Sequence, residues 1–316
     1  MNEVRIPLST LFDQPAPANG VIPTCATKLT LAHALARLDR DAAHGYCDTG
    51  RYRPPFYVWG EGPPLVFIPG LADDRLSFAL VISRLSQHFC CVAYDLPGGK
   101  DDGARLGRLR HADLVADLFA LLDSLRLSRA HLFGSSFGST IALAAAHARP
   151  ERVERIVLAG GFARRPLALG ENVLTAFARY WPWSMGDLPL RDETLKLAHG
   201  GPFRRQPPEV WDWFLTRSGS APMAAVARRA RILNRLDLRP ILPAIRHPVM
   251  MICGDRDPLV GKDCEAELLH GLPHVSRAEI EDCGHMPQFT HPEILAEIIE
   301  RYLGVKDGCS APDTLR

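Results

Sequence analysis

The pentapeptide Gly134-Ser135-Ser136-Phe137-Gly138 stands between the apolar run Ala130-His131-Leu132-Phe133 and a stretch, residues 139–146, of small and aliphatic residues. The first reads as a buried strand and the second as a helix, so the pentapeptide is a strand-to-helix turn. Its glycines let the chain crowd itself, and such a turn holds the Ser136 hydroxyl proud of the backbone. The amide of Phe137, at the helix N-terminus, then points toward any negative charge forming on a bound carbonyl. The plainer alternative is a turn that only packs helix on sheet, and the strand–turn–helix context counts against it.

A serine hydroxyl needs a base, and a base needs an orienting acid. Val249-Met250-Met251-Ile252-Cys253 is an apolar run suited to a parallel sheet, and it ends at Gly254-Asp255-Arg256-Asp257-Pro258. An acid therefore emerges at the carboxyl end of a strand, where α/β sheets place their sites. Asp257 is preferred to Asp255 because it lies deeper in the loop; either could instead cap the helix that starts near Gly261. A calcium loop is excluded, since Leu259 and Val260 fall where an oxygen ligand and a glycine belong. Further on, Arg277-Ala278-Glu279-Ile280-Glu281 alternates like an edge strand and leads into Asp282-Cys283-Gly284-His285-Met286-Pro287. His285, in a turn framed by glycine and proline, is preferred as base. Its rival His291 precedes Pro292 and reads as a helix start. A second oxyanion donor is expected from Leu71, in Pro69-Gly70-Leu71-Ala72-Asp73-Asp74 at the end of the apolar strand Leu65-Val66-Phe67-Ile68.

With these pieces in order, the chain resembles an α/β-hydrolase-fold protein. The resemblance rests on Pro69-Gly70-Leu71, Tyr94-Asp95-Leu96-Pro97-Gly98, the pentapeptide 134–138, Arg149-Pro150-Glu151-Arg152-Val153, the loop 254–257 and Gly284-His285. It covers about residues 53–163 and 241–304. It implies Ser136 as nucleophile, His285 as general base then acid, Asp257 as orienting acid, Leu71 and Phe137 as oxyanion amides, and no cofactor. Pro69 stands where many members have histidine, and the segment 95–101 leaves the usual pattern after Gly98. The lipase-type His-Gly-Gly-Gly hole is absent. Relatives with an aspartate nucleophile are excluded by Ser136, and the strand Arg155 to Phe162 offers no acid that could replace Asp257.

The rhythm of strands and helices predicts an α/β fold: a mostly parallel central sheet, helices on both faces and an inserted helical cap. The expected organisation is an N-terminal extension over 1–52, a core over 53–163 and 241–305, the cap over 164–240 and a tail over 306–316. Within the extension, 15–20 is loop-like, and Leu29, Leu31, Ala34, Leu35 and Leu38 mark a helix face. Phe56 to Trp59 and Leu65 to Ile68 flank a Gly-Pro turn and are expected to be antiparallel strands. In the cap, the aromatics, with Trp181, Trp183, Trp211 and Trp213 among them, either line an apolar acyl or ring pocket, or Trp211, Trp213 and Phe214 form a small core of the cap's own. Arg164, Arg165, Arg204 and Arg205 read as a solvated basic surface rather than an anion site.

At 316 residues and 47% hydrophobic, the chain can bury a large core without metal or disulfide staples. A net charge of +1 gives no reason to expect nucleic acid as partner. The eight cysteines, Cys25 and Cys309 among them, lack metal-ligand spacing, and Cys90, Cys91 and Cys253 fall within apolar strands as packed thiols. No apolar signal core opens the sequence and no run reaches membrane-spanning length, so the cytoplasm is the expected location. The expected activity is acyl transfer to water from a small-molecule carboxylic ester or related acyl compound. The alternative is a ligand-binding protein or a lyase on the same fold.

Overall fold

The computed structural model describes residues 30–98, 102–178 and 180–305. Expectations placed on 1–29, on 99–101 and on the tail 306–316, with Cys25, Leu29 and Cys309, lie outside them. In chain order the elements are α1 (Leu31–Asp41), β1 (Ala43–Tyr46), β2 (Pro55–Trp59), β3 (Pro64–Ile68), α2 (Ala79–Leu85), β4 (Cys90–Tyr94), α3 (His111–Ser124), β5 (Ala130–Ser135), α4 (Phe137–Ala148) and β6 (Val153–Ala159). Four helices follow: α5 (Leu169–Ala178), α6 (Arg191–Phe203), α7 (Pro208–Ser220) and α8 (Met223–Leu233). The chain then returns to β7 (Val249–Gly254), α9 (Lys262–Gly271), β8 (Val275–Ile280), α10 (Pro287–Thr290) and α11 (Pro292–Leu303).

One eight-stranded sheet runs in the order β1-β2-β4-β3-β5-β6-β7-β8. It is parallel from β4 through β8 and antiparallel at β1–β2 and β2–β4. Side chains alternate across it with a period of two. Val66 and Ile68 face a core shared with α3 and α4, while Leu65 and Phe67 face one shared with α2 and α11. On the second face Phe67, Phe78 and Phe133 form a ring cluster with centroids 5.0 to 5.8 Å apart. Each such ring, fully buried, contributes about 1.5–3 kcal/mol.

Two differences from the sequence reading concern the N-terminal side. β2 and β3 run antiparallel as expected, but they are not paired with each other, because β4 lies between them. Both edges of β3 are taken, by β4 and β5, and the turn after β2 crosses the head of β4. There a Cβ on Gly60 would come within 2.1 Å of the Ser86 carbonyl oxygen. Secondly, part of the segment read as an extension belongs to the sheet. β1 pairs with β2 from Ala43↔Val58 to Tyr46↔Pro55. α1 buries Leu31, Ala34 and Leu38 as its apolar face predicts.

The register aligns the carboxyl ends of the strands. Ile68 pairs with Gly134, Ser135 with Ala159, Ala159 with Ile252, and Gly254 with Ile280. The loops after β3, β5, β7 and β8 therefore open on the same edge of the sheet.

Candidate active site

Ser136 occupies the turn between β5 and α4 at φ 50° and ψ −115°. A side chain at positive φ costs on the order of 1–3 kcal/mol and persists only where its surroundings over-determine it. Here the Ser136 amide donates to Ala159 O at 2.8 Å, and Ser136 O accepts from Ser139 N at 2.9 Å. The flanking glycines are sterically required. A Cβ on Gly138 would sit 2.2 Å from Ile68 O, and one on Gly134 would sit 2.6 Å from Ser139 Cα.

Asp257 and His285 meet above the same edge. Asp257 Oδ2 lies 2.7 Å from His285 Nδ1, with both side chains almost wholly buried. The other carboxylate oxygen, Oδ1, accepts from the amides of Leu259 (2.8 Å) and Val260 (3.0 Å). Burial would raise the Asp257 pKa, but the bond to His285 and the two amides outweigh it and hold the carboxyl below its usual range. Asp255 does not cap α9. Its Oδ1 accepts from Cys283 N at 3.0 Å, tying the loop after β7 to the loop that carries His285. His291 precedes α11 as the sequence indicates. Cys283 is buried and its thiol is pushed up to about 12 by burial, so it is no rival nucleophile.

Ser136 and His285 share a cavity of about 220 Å³ with Leu71, Phe162, Leu233 and Val260. Leu71 thus reaches the site its sequence position suggested, and Phe137 opens α4, where a first-turn N–H has no intrahelical acceptor. Arg165 also lines this cavity, ion-paired with Glu171 at 3.1 Å, so it departs from the solvated surface expected of it. Arg205 stays exposed and pairs with Asp282. Of the tryptophans, Trp211 and Trp213 pack against buried Phe203, Phe214 and Phe289 in a cluster that also takes in Leu31, Ala34 and Leu80, so they belong to a core that the cap shares with α1, α2 and α10 rather than to one of its own. Trp181 and Trp183 stack edge to face at 4.9 Å.

Three residues around the site escaped the sequence reading. Gly160, at φ 57°, lies against the His285 ring, where a Cβ would come within 2.9 Å of Nδ1 and Cε1. Its signal was the Gly160-Gly161 pair at the end of β6. Asp73 is buried in the loop after β3 and accepts from Gly70 N (3.3 Å) and Ser135 Oγ (3.4 Å). Burial pushes its carboxyl up. Arg229, on α8, is buried and donates to Leu71 O (2.6 Å), Leu96 O (3.0 Å) and Pro97 O (2.9 Å). The sequence placed it in an arginine run, but Ala225 and Leu233, four residues either side, put it on the buried stripe.

α4 is braced from below. His111 Nε2 lies 3.0 Å from Thr140 Oγ1, which donates to Phe137 O at 2.7 Å. The threonine proton being spent, the imidazole must be the donor, as its neutral Nε2–H tautomer. Burial lowers the His111 pKa to about 4. A histidine depressed on folding adds stability above its unfolded pKa of about 6.5 that is lost as pH falls through the folded value. The advantage in melting temperature of the wild type over His111→Gln is therefore expected to shrink between pH 7 and pH 4. An unchanged gap in thermal scans would count against it.

The model of the alpha/beta hydrolase fold family matches residues 63–292. The chain belongs to the α/β-hydrolase family. Among curated relatives it is similar to proteins named pimeloyl-[acyl-carrier protein] methyl ester esterase. That of Xanthomonas campestris pv. campestris is 30% identical over 258 residues, covering 78% of this chain and 97% of the relative. That of Nitrosospira multiformis is 28% identical over 251 residues, covering 77% and 95%. Among solved structures, a thermophilic esterase from Thermogutta terrifontis superposes with a TM-score of 0.73 at 22% identity, covering 83% of this chain and 98% of that one. The enol-lactonase from Burkholderia xenovorans gives 0.71 at 22% identity, covering 82% and 99%. The structural likenesses carry the α/β-hydrolase fold; esterases stand among the sequence relatives of this hydrolase.

Proposed function

We propose that the chain is a serine hydrolase of carboxylic esters, with Ser136 as nucleophile, His285 as base and acid, and Asp257 as orienting acid. The observation that carries the reading is the 2.7 Å bond between Asp257 and His285 beside a serine held at positive φ on the same cavity. With Nδ1 committed to the carboxylate, Nε2 is the atom left to take the proton of Ser136 Oγ as that oxygen attacks the ester carbonyl. The amides of Leu71 and Phe137 receive the oxyanion. The imidazolium, stabilised by Asp257, gives its proton to the departing alcohol. Water then attacks the acyl-enzyme by the same route in reverse. Intact mass after incubation with a fluorophosphonate tests this: one adduct on the wild type and none on Ser136→Ala is expected. No adduct on the wild type would leave a binding protein or lyase as the better reading.

The pocket favours a small ester half. Its volume of about 220 Å³ is below the ~300–1,000 Å³ usual for drug-sized ligands, and its lining is mostly aliphatic. The sequence relatives make methyl esters the first alcohols to try. For p-nitrophenyl esters, kcat/KM with acetate or butyrate is expected to exceed that with decanoate by ~10-fold or more, since excess methylenes have no room. A steady rise through decanoate would exclude this cavity as the acyl site.

A further inference from the structure

α5 is amphipathic the wrong way round for a helix of a water-borne surface. Leu169, Val173 and Phe177, at successive intervals of four, are exposed by 83%, 52% and 72%, and Leu174 beside them by 58%. Its polar residues Glu171, Asn172 and Thr175 are only partly exposed instead. Glu171 pairs with Arg165 and accepts from Ala168 N, while Asn172 binds Leu167 O (2.9 Å) and accepts from Asn234 Nδ2 (2.7 Å). Specific polar bonds to α8 and to the segment before α5 thus fix the helix with its apolar side outward. Stripes of this kind mark a surface made for a partner.

Two further observations select the partner. Tyr180, just past α5 and 73% exposed, lines a hollow of about 380 Å³ together with Arg228 and Arg231 of α8. An apolar helix face bordered by an aromatic ring and arginines matches a bilayer surface with anionic head groups. Moreover Glu171, Leu174 and Thr175 of this same helix line the cavity of Ser136 and His285. A second protein copy seated on α5 would crowd that cavity, whereas a lipid surface would feed it. Among the described residues no helix is long and apolar enough to cross a membrane, so the contact is one of lying on it.

We propose that α5 docks the protein on anionic lipid surfaces, with Leu169, Val173 and Phe177 in the acyl boundary and Arg231 among the head groups, while Arg228, whose guanidinium donates to Leu109 O, adds positive charge at the edge. An amphiphilic ester could then enter from the lipid side while its long apolar half stays there. That last benefit rests on the esterase reading, but docking itself does not, so it is tested without turnover. The experiment is co-sedimentation of the full chain with sucrose-loaded vesicles of phosphatidylcholine, alone or mixed equally with phosphatidylglycerol. Wild type is expected to pellet with the mixed vesicles and to be released by high salt. V173S/F177S is expected to lower partitioning at least ~10-fold, as two buried apolar side chains are lost. Arg231→Glu is expected to weaken binding to mixed vesicles alone. Both variants should keep the wild-type melting temperature, since all three side chains lie at the surface or its edge. Wild type left in the supernatant, or V173S/F177S pelleting as well as wild type, would overturn the proposal. So would a wild-type dimer in sedimentation equilibrium, lost in V173S/F177S, with no vesicle binding.

Discussion

Ser136→Ala is expected to lower kcat/KM for a short-chain ester by about 10⁴-fold or more while leaving the fold intact. The attacking atom goes, and with it the covalent intermediate; the remaining amides and cavity still favour attack by water slightly, so a residual rate survives. Stability should move little, because residue 136 still sits at φ 50° and the hydroxyl that is lost lines the cavity rather than the core. His285→Ala is expected to cost about as much, and the double variant no more than either alone, since residues that act as a unit are not additive. Burst and steady-state kinetics with p-nitrophenyl acetate measure this. A Ser136→Ala rate within tenfold of wild type would remove Ser136 from the chemistry.

Arg229→Met should injure both stability and rate. One buried guanidinium closes three backbone carbonyls, those of Leu71, Leu96 and Pro97. Burial draws its pKa down to about 10, so it remains charged at neutral pH. Methionine fills much of the volume but leaves buried acceptors unpaired, a loss of about 3 kcal/mol in urea unfolding. The carbonyl of Leu71 belongs to the residue whose amide is the proposed oxyanion donor, so kcat should fall tenfold or more with KM nearly unchanged. Arg229→Lys is expected to recover only part, because an ammonium cannot span the three oxygens as the planar fork does. A variant with wild-type kcat would show that the loop holds its shape without α8.

What could be read from residues alone followed from how local its causes are. Ser136, Asp257 and His285 each sit at a strand end among turn-forming neighbours, and the turn chemistry marks them. That β2 and β3 are antiparallel was legible, but that they are not neighbours was not, because a short Gly-Pro connection says nothing about a later strand taking the intervening place. β1 was missed because Ala43-His44-Gly45-Tyr46 is only four residues long, has no β-branched residue and is only partly buried. The tryptophans stayed undecided because ring clusters and ligand pockets draw on the same residues; only the packing on Phe203, Phe214 and Phe289 separates them. Arg229 needed the helix phase of α8, and Gly160 needed the position of the His285 ring, a contact between residues far apart in the chain.

With the triad proposed above, the order of the strands also sets when the molecule becomes active. The serine lies on β5's turn, but the acid and histidine arrive only with β7 and β8, after four helices that pack outside the sheet. A chain still leaving the ribosome therefore carries its elbow for well over a hundred residues with no base beside it. Domains form in the order they are made, and parallel pairing across a long insertion is slow to close. During synthesis the hydroxyl is an ordinary alcohol. On that reading reactivity is expected only once the last strand has docked, and a molecule that stalls or is clipped before that point is expected to be inert.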